Sequence, residues 1–253
     1  MNGEVVKAGR ILRKGDVVAG EMVGPDLPAE PEDIPLDIVF EDVHLMIINK
    51  PRGMVVHPGA GVRSGTVLNA LLWRGSDIER AGIVHRLDKN TAGLMVVAKT
   101  AKVQALLARM FEFHDVQRTY IGLVEGRVDE GGAVRKNLKR HPGVRTLYTT
   151  CFDSEGRTAV THYKPLEIFK KHSKVEFKLE TGRTHQIRVH MKSINRPLLG
   201  DAEYNPKSSI KASGQMLEAI RLEFMHPTTG KQMKFEVAPT EEFKSVENRL
   251  TRI

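Results

Sequence analysis

The second half of this chain is a succession of strand-like segments with a single helical interruption before the C-terminal one. From Arg118 onward come RTYIGLVEG, TAVTHYKPLEIF, KVEFKLE, MLEAIRLEFMHP and KQMKFEVAP, segments in which β-branched and aromatic residues are well represented. The last two flank Thr228-Thr229-Gly230, a suitable hairpin turn. HQIRVHMKSI is the one helical stretch among them, and TEEFKSVENRL closes the chain as another. Upstream, VFED and HLMIINKP read as strands. GTVLNALLW has helical spacing at Val67, Leu68, Leu71 and Leu72, and AKVQALLARMFEF reads as an amphipathic helix with Thr100 as its N-cap. A doubly wound parallel sheet needs strict strand–helix alternation, which is missing. The expected class is α+β, with an extended mixed, mainly antiparallel sheet and flanking helices.

Residues 1–18 alternate loosely and are expected to form a small β hairpin. Residues 19–36 mix Pro25, Pro28, Pro31 and Pro35 with acids and read as an extended linker, leaving 37–253 as the main domain. That length buries a proper core. A single cysteine, Cys151, excludes an internal disulfide framework and a cysteine-based zinc site, and fits a reducing, cytoplasmic location. No apolar run approaches the roughly 18–20 residues that span a bilayer, and the first residues lack the apolar core of a secretory signal.

The net charge of +8 is unevenly placed. Residues 1–50 carry five Lys/Arg against ten Asp/Glu, whereas residues 135–192 carry fourteen against five. A basic block of this kind predicts a polyanionic partner, and the Gly and Thr mixed with its cations favour nucleic acid over a merely solvated face.

Four constellations stand out. IVHRLDKNTAGLMVVAKT, residues 83–100, places one acid, Asp88, among cations and donors between two apolar runs. Taken alone, it is a structural turn in which the carboxylate accepts backbone N–H bonds. Thr181-Gly182-Arg183-Thr184 is a strand-to-helix junction whose free N–H groups favour an anion. Arg118-Thr119-Tyr120 starts a strand with an aromatic on which a base can stack. PLLGDAEYN, residues 197–205, is a turn with Leu198 and Leu199 beside Asp201. Ten histidines invite a metal, but His185 and His190 are five apart, wrong for chelation from one helical face. His141, His162 and His172 lack nearby carboxylates in sequence, so no metal is expected. There is no Gly-x-Ser-x-Gly elbow, and GAGVRSGT lacks the Gly-Lys-Ser/Thr ending of a phosphate loop.

HRLDKNTAGLMVVAKT, RTYIGLVEG, RHPGVRT, TAVTHY, LETGRTHQIRVHM and PLLGDAEY occur in the order found in RluA-type RNA pseudouridine synthases, and resemble their RluD branch especially. The resemblance runs from about Asp37 to Pro239. It implies the pseudouridine synthase catalytic fold and an isomerisation of uridine within structured RNA, large-subunit ribosomal RNA above all. The N1–C1′ bond breaks, the uracil turns, and C5 bonds to C1′, with no cofactor and no metal. By resemblance Asp88 is the nucleophile, on C6 of the base or at C1′, and Arg183 is the cation that favours its charged form. Tyr120 stacks on the target base. Arg86 fills the space left by the flipped nucleotide, and Leu199 packs under the uracil. Lys136, Lys139, Arg140, Arg145, Lys170 and Lys171 are then expected to hold RNA phosphates. The resemblance also implies a monomer, and makes residues 1–18 the remnant of an S4-like RNA-binding module.

Two departures from the family pattern lie inside the motifs. Thr91-Ala92-Gly93 lacks a hydroxyl that the family often carries, and Leu217-Glu218-Ala219 stands where Leu-His-Ala is favoured. The added negative charge of Glu218 is expected to bear on RNA contact. A catalytically silent RNA-binding or ribosome-assembly protein on the same fold predicts that Asp88, Tyr120 or Arg183 is lost, and all three are present. A uracil-removing glycosylase needs a base to deprotonate water, and the motifs offer none.

Overall fold

The computed structural model describes residues 29–252 apart from 60, 77, 78, 153 and 154, together with Gly15 and Val17. The hairpin expected at 1–18 and most of the linker expected at 19–36 lie outside the described residues. Residues 29–36 have no regular structure but are tied down. The Glu32 N–H donates to the Asn69 carbonyl and the Asn69 amide to the Glu30 carbonyl.

The strands are β1 (Ile38–Glu41), β2 (Leu45–Lys50), β3 (Ala92–Ala98), β4 (Gln117–Glu125), β5 (Gly132–Arg135), β6 (Asn137–Arg140), β7 (Tyr148–Cys151), β8 (Val160–Ile168), β9 (His172–Leu179), β10 (Leu217–Met225) and β11 (Gln232–Glu236). The helices are α1 (Val67–Trp73), α2 (Ala101–Glu112), α3 (Gln186–Ser193) and α4 (Glu241–Asn248). One sheet runs β1-β2-β3-β10-β4-β9-β8-β5, with β11 on the second half of β10. The β6–β7 pair forms a separate two-stranded sheet. All pairings are antiparallel except β3 with β10, which meet only at Glu218↔Ala92 and Ala219↔Gly93. This is the mixed, mainly antiparallel sheet expected. No helix among the described residues is long and apolar enough to cross a membrane.

The parallel contact depends on Gly93. Its φ is +116°, and a Cβ there would stand 2.2 Å from the Ala219 carbonyl oxygen, so only glycine lets these strands approach. Thr100 caps α2 as expected, accepting from Val103 N–H. Helix α2 buries Val103 and Leu107 with Leu94 and Val96. Strand alternation along β4 then assigns the two faces. Tyr120 and Val124 point toward α3 with Phe177, Ile187 and Met191, while Ile121 and Leu123 point toward Phe243 and Val246 of α4. Each such buried aliphatic or aromatic side chain contributes roughly 1.5–3 kcal/mol.

Strands β5, β6 and β7 escape a reading of periodicity. They are only four residues long, and the stretch is polar and basic. The apolar pair Ile83-Val84 ahead of Asp88 is not part of a strand: Ile83 makes one isolated bridge, to Val97, and the chain continues as an extended arm.

Candidate active site

Asp88 sits on the arm between Ile83 and β3, and its loop is held from behind. The Thr91 N–H donates to the Asp88 carbonyl. The Lys50 ammonium, 1% exposed, donates to the carbonyls of Pro51, Met54 and Lys89. Arg52 reaches the carbonyls of Asn90 and Gln215, and Gln215 donates to Thr91 Oγ1. The imidazole of His85 stacks on Phe111 and accepts the Val96 N–H at 3.0 Å, and burial pushes its pKa down to about 3. The ring is therefore neutral and structural.

The Asp88 side chain faces a cavity of about 720 Å³, within the roughly 300–1,000 Å³ of small-ligand pockets. Its lining includes Ile83, Arg86, Arg118, Tyr120, His185, Arg188 and Leu217. Arg188 Nη1 lies 3.4 Å from Asp88 Oδ2. Its guanidinium is aimed by Asp201, which is 0% exposed and takes Nε at 2.8 Å and Nη2 at 2.7 Å, while Glu203 takes Nη2 at 2.5 Å. The Asp201 carboxylate is itself fixed by the N–H groups of Glu203 and Tyr204. Burial opposes the Arg188 charge, but the Asp201 hydrogen bonds and the charges of Asp201 and Asp88 outweigh it and raise its pKa. A two-point fork of this kind fixes direction as well as charge.

His185 completes the wall, with Nε2 4.0 Å from Asp88 Oδ1 and Nδ1 2.9 Å from the Tyr204 hydroxyl. Burial lowers its pKa, the nearby Asp88 charge opposing, so the ring is neutral at pH 7. Tyr120 is 6% exposed, and burial raises its phenol above the ordinary value. The phenol is therefore a neutral hydroxyl at pH 7.

The chain matches the family model described as RNA pseudouridylate synthase over residues 44–193. It belongs to the RNA pseudouridylate synthase family. It is 42% identical over 276 residues to the ribosomal large subunit pseudouridine synthase D of Vibrio vulnificus (strain CMCP6), covering all of this chain and 84% of that one. The protein of the same description from Escherichia coli (strain K12) is 45% identical over 244 residues, 88% of this chain and 74% of its own. Among solved structures, Human RNA Pseudouridylate Synthase Domain Containing 1 aligns with a TM-score of 0.68 at 23% identity, covering 86% of this chain and 88% of its own. That likeness concerns the fold.

Within this family member, the structure brings Asp88, Tyr120 and Arg86 to one cavity and corrects two of the sequence expectations. Arg183 is not the partner of Asp88. It precedes α3, and its Nε donates to the Thr158 carbonyl at 3.1 Å. The left-handed backbone of His185 (φ 56°, ψ 19°) turns the chain between Arg183 and the helix, so Arg188, five residues on, faces Asp88 instead. Leu199 is also misplaced as a floor for the base. It is fully buried on the α4 side with Leu123, Met216 and Phe243, and Leu217 lines the cavity in its stead.

The expected phosphate-binding cations divide. Lys139 and Arg140 line a second cleft with Arg157 and Arg183, which shares the lining residues 182–184 with the main cavity. There Lys139 pairs with Glu155, and Arg140 lies over Tyr148. Arg145 is exposed on the turn beyond β6, and its carbonyl accepts from Arg140. Lys136 donates to the carbonyl and hydroxyl of Ser193 at the end of α3. Lys170 and Lys171 lie in the β8–β9 turn, about 20 Å along the strand from Phe177, which stands opposite Tyr120. They are too far to touch the nucleotide in the cavity. Glu218 turns away from the cavity: buried, it takes Arg52 at 3.0 Å and the Thr240 N–H at 2.9 Å. Its charge is matched inside the fold, which removes the expected effect on RNA contact.

Proposed function

We propose that this protein converts uridines of large-subunit ribosomal RNA to pseudouridine, with Asp88 as the nucleophile. One observation carries the reading. Asp88 and Arg188, 100 residues apart in sequence, meet at 3.4 Å on the wall of a nucleotide-sized cavity that also presents the buried Tyr120. The isomerisation breaks N1–C1′, forms C5–C1′, moves the C5 proton out and protonates N1, so atoms balance without an added reactant. Asp88 attacks the flipped nucleotide, and Arg188 compensates its charge in a site shielded from water. Tyr120 stacks on the uracil, with Leu217 and Ile83 as apolar walls. Arg86, exposed at the mouth, occupies the gap left in the RNA stack. Lys139, Arg140, Arg157 and Arg183 then follow the strand beyond the cavity by charge. The reading extends to a cytoplasmic monomer, with 37–253 as the catalytic domain and residues 29–36 held against it through the Glu30 and Glu32 contacts with Asn69.

The test is to treat a large-subunit rRNA transcript with purified protein and map pseudouridine. The wild type should produce it at discrete positions. Asp88→Asn should produce none while still binding the transcript. No modification by the wild type, or equal modification by both, overturns the proposal.

A further inference from the structure

Arg118 lines the same cavity as Asp88 and is only 8% exposed, yet no described residue neutralises it. Among the described residues it forms no ion pair, and its buried Nε has no hydrogen-bond partner. Its protein contact is the face of Phe111, 5.3 Å from the guanidinium carbon to the ring centre. A buried guanidinium without a counter-charge is costly, so such groups are ordinarily paired. Arg188, across the cavity, shows how fully this fold can satisfy one.

The space beside Arg118 is kept open. Gly182 has no positive φ, so nothing in its backbone demands glycine, but a Cβ there would stand 2.6 Å from Arg118 Nη1. The backbone N–H groups of Gly182 and Thr184 have no acceptor among the described residues, whereas that of Arg183 is taken by Gln186 Oε1. A cation with idle donors thus meets two idle peptide donors at the entrance to α3, where the helix end adds positive potential.

We propose that Arg118, with the N–H groups of Gly182 and Thr184, forms an anion site for one phosphodiester of the RNA strand, adjoining the nucleotide whose base enters the cavity. This rests on the uridine-isomerising function proposed above. A guanidinium fork matches phosphate oxygens two at a time, and a nucleotide rotated out of its helix carries its own phosphates toward the cavity mouth. Binding of RNA then supplies the counter-charge that the free protein lacks.

The experiment compares wild type with Arg118→Gln, Arg118→Lys and Gly182→Ala on an rRNA transcript, reading KM, kcat and the dependence of Kd on KCl. Arg118→Gln should raise KM and Kd about 10- to 100-fold, with a smaller fall in kcat. It should also flatten the log Kd–log salt slope by the ~0.7–0.9 of one phosphate. Arg118→Lys should restore the slope but only part of the affinity. Gly182→Ala keeps the charge, crowds the guanidinium and should also weaken binding. Replacing one phosphate beside the target uridine with an uncharged methylphosphonate should cost the wild type the same factor and leave Arg118→Gln unaffected. The RNA-free Arg118→Gln protein should be about as thermostable as wild type, since the Phe111 contact it loses is offset by removal of a buried, unpaired charge. Losses in kcat alone, an unaltered salt slope, or methylphosphonate effects equal in both proteins at every position would overturn the proposal. So would inorganic phosphate stabilising the wild type but not Arg118→Gln while the RNA slope stays unaltered, since that marks a site for a free anion. Should the wild type bind the transcript but form no pseudouridine, the function fails separately, and the Kd and salt measurements still decide the Arg118 contact.

Discussion

The two walls of the cavity treat arginine in opposite ways. On the α3 side, Arg188 is held by Asp88, Asp201 and Glu203, and its guanidinium cannot turn without abandoning a fully buried carboxylate. On the α2–β4 side, Arg118 is nearly as buried and, among the described residues, has no carboxylate partner, only the face of Phe111 against its guanidinium. The first arrangement makes the cation part of the protein's own structure, aimed at one carboxylate. The second leaves charge and donors to be completed by what binds. Burial alone therefore does not tell a structural arginine from a binding one; the partners do.

The largest effect expected on this contrast comes from Arg188→Met. It leaves Asp201 buried without its cation and should cost about 3–5 kcal/mol in urea unfolding, together with about 100-fold or more in turnover from lost charge compensation. Arg118→Gln, on the other wall, should cost no stability. Equal stability losses at the two arginines would erase the distinction.

A second effect concerns the support beneath Asp88. His85 is held neutral, its pKa pushed from 6.5 to about 3 by burial and by the Arg118 charge. The unfolded chain binds a proton that the folded chain refuses, so this contribution is whole above pH 6.5 and is lost as pH falls toward 3. It should remove about 2 kcal/mol between pH 6.5 and 5. Urea unfolding of wild type and His85→Gln across that window should show the steeper loss in the wild type, and parallel curves would contradict the assignment. Arg183→Ala, which removes a side chain that lines both clefts but donates to the Thr158 carbonyl rather than to Asp88, should reduce turnover by less than about tenfold, as for a single phosphate contact. The smallest effect belongs to Lys170→Ala with Lys171→Ala at the far end of β9. It should stay within about twofold in Kd, in line with exposed charges beyond the Debye length.

Much of this was legible in the sequence. Apolar alternation and turn residues give most of the sheet, and Thr100 announces the start of α2. HRLD and RTY point to Asp88 and Tyr120 only through their ordered resemblance to RluA-type enzymes; taken alone, the first reads as a turn and the second as an ordinary strand start. The choice between Arg183 and Arg188 was not legible, since both stand in GRTHQIR. It turns on the left-handed backbone of His185, a conformation that a non-glycine residue does not advertise. Leu198 and Leu199 pose the same difficulty: adjacent residues leave the chain on opposite faces, and one step of register decides which of them shares the Tyr120 side of the sheet. The role of Arg118 was hidden for another reason. Its meaning lies in the absence of a partner, which only the packed fold reveals.

The most direct test of Asp88 as the reacting group is release of tritium from RNA labelled at uridine C5, since formation of the C5–C1′ bond must expel that hydrogen. With transcript saturating both proteins, the wild type should release tritium in step with pseudouridine formation, and Asp88→Asn should release none above background. Release by Asp88→Asn at the wild-type rate would contradict the mechanism.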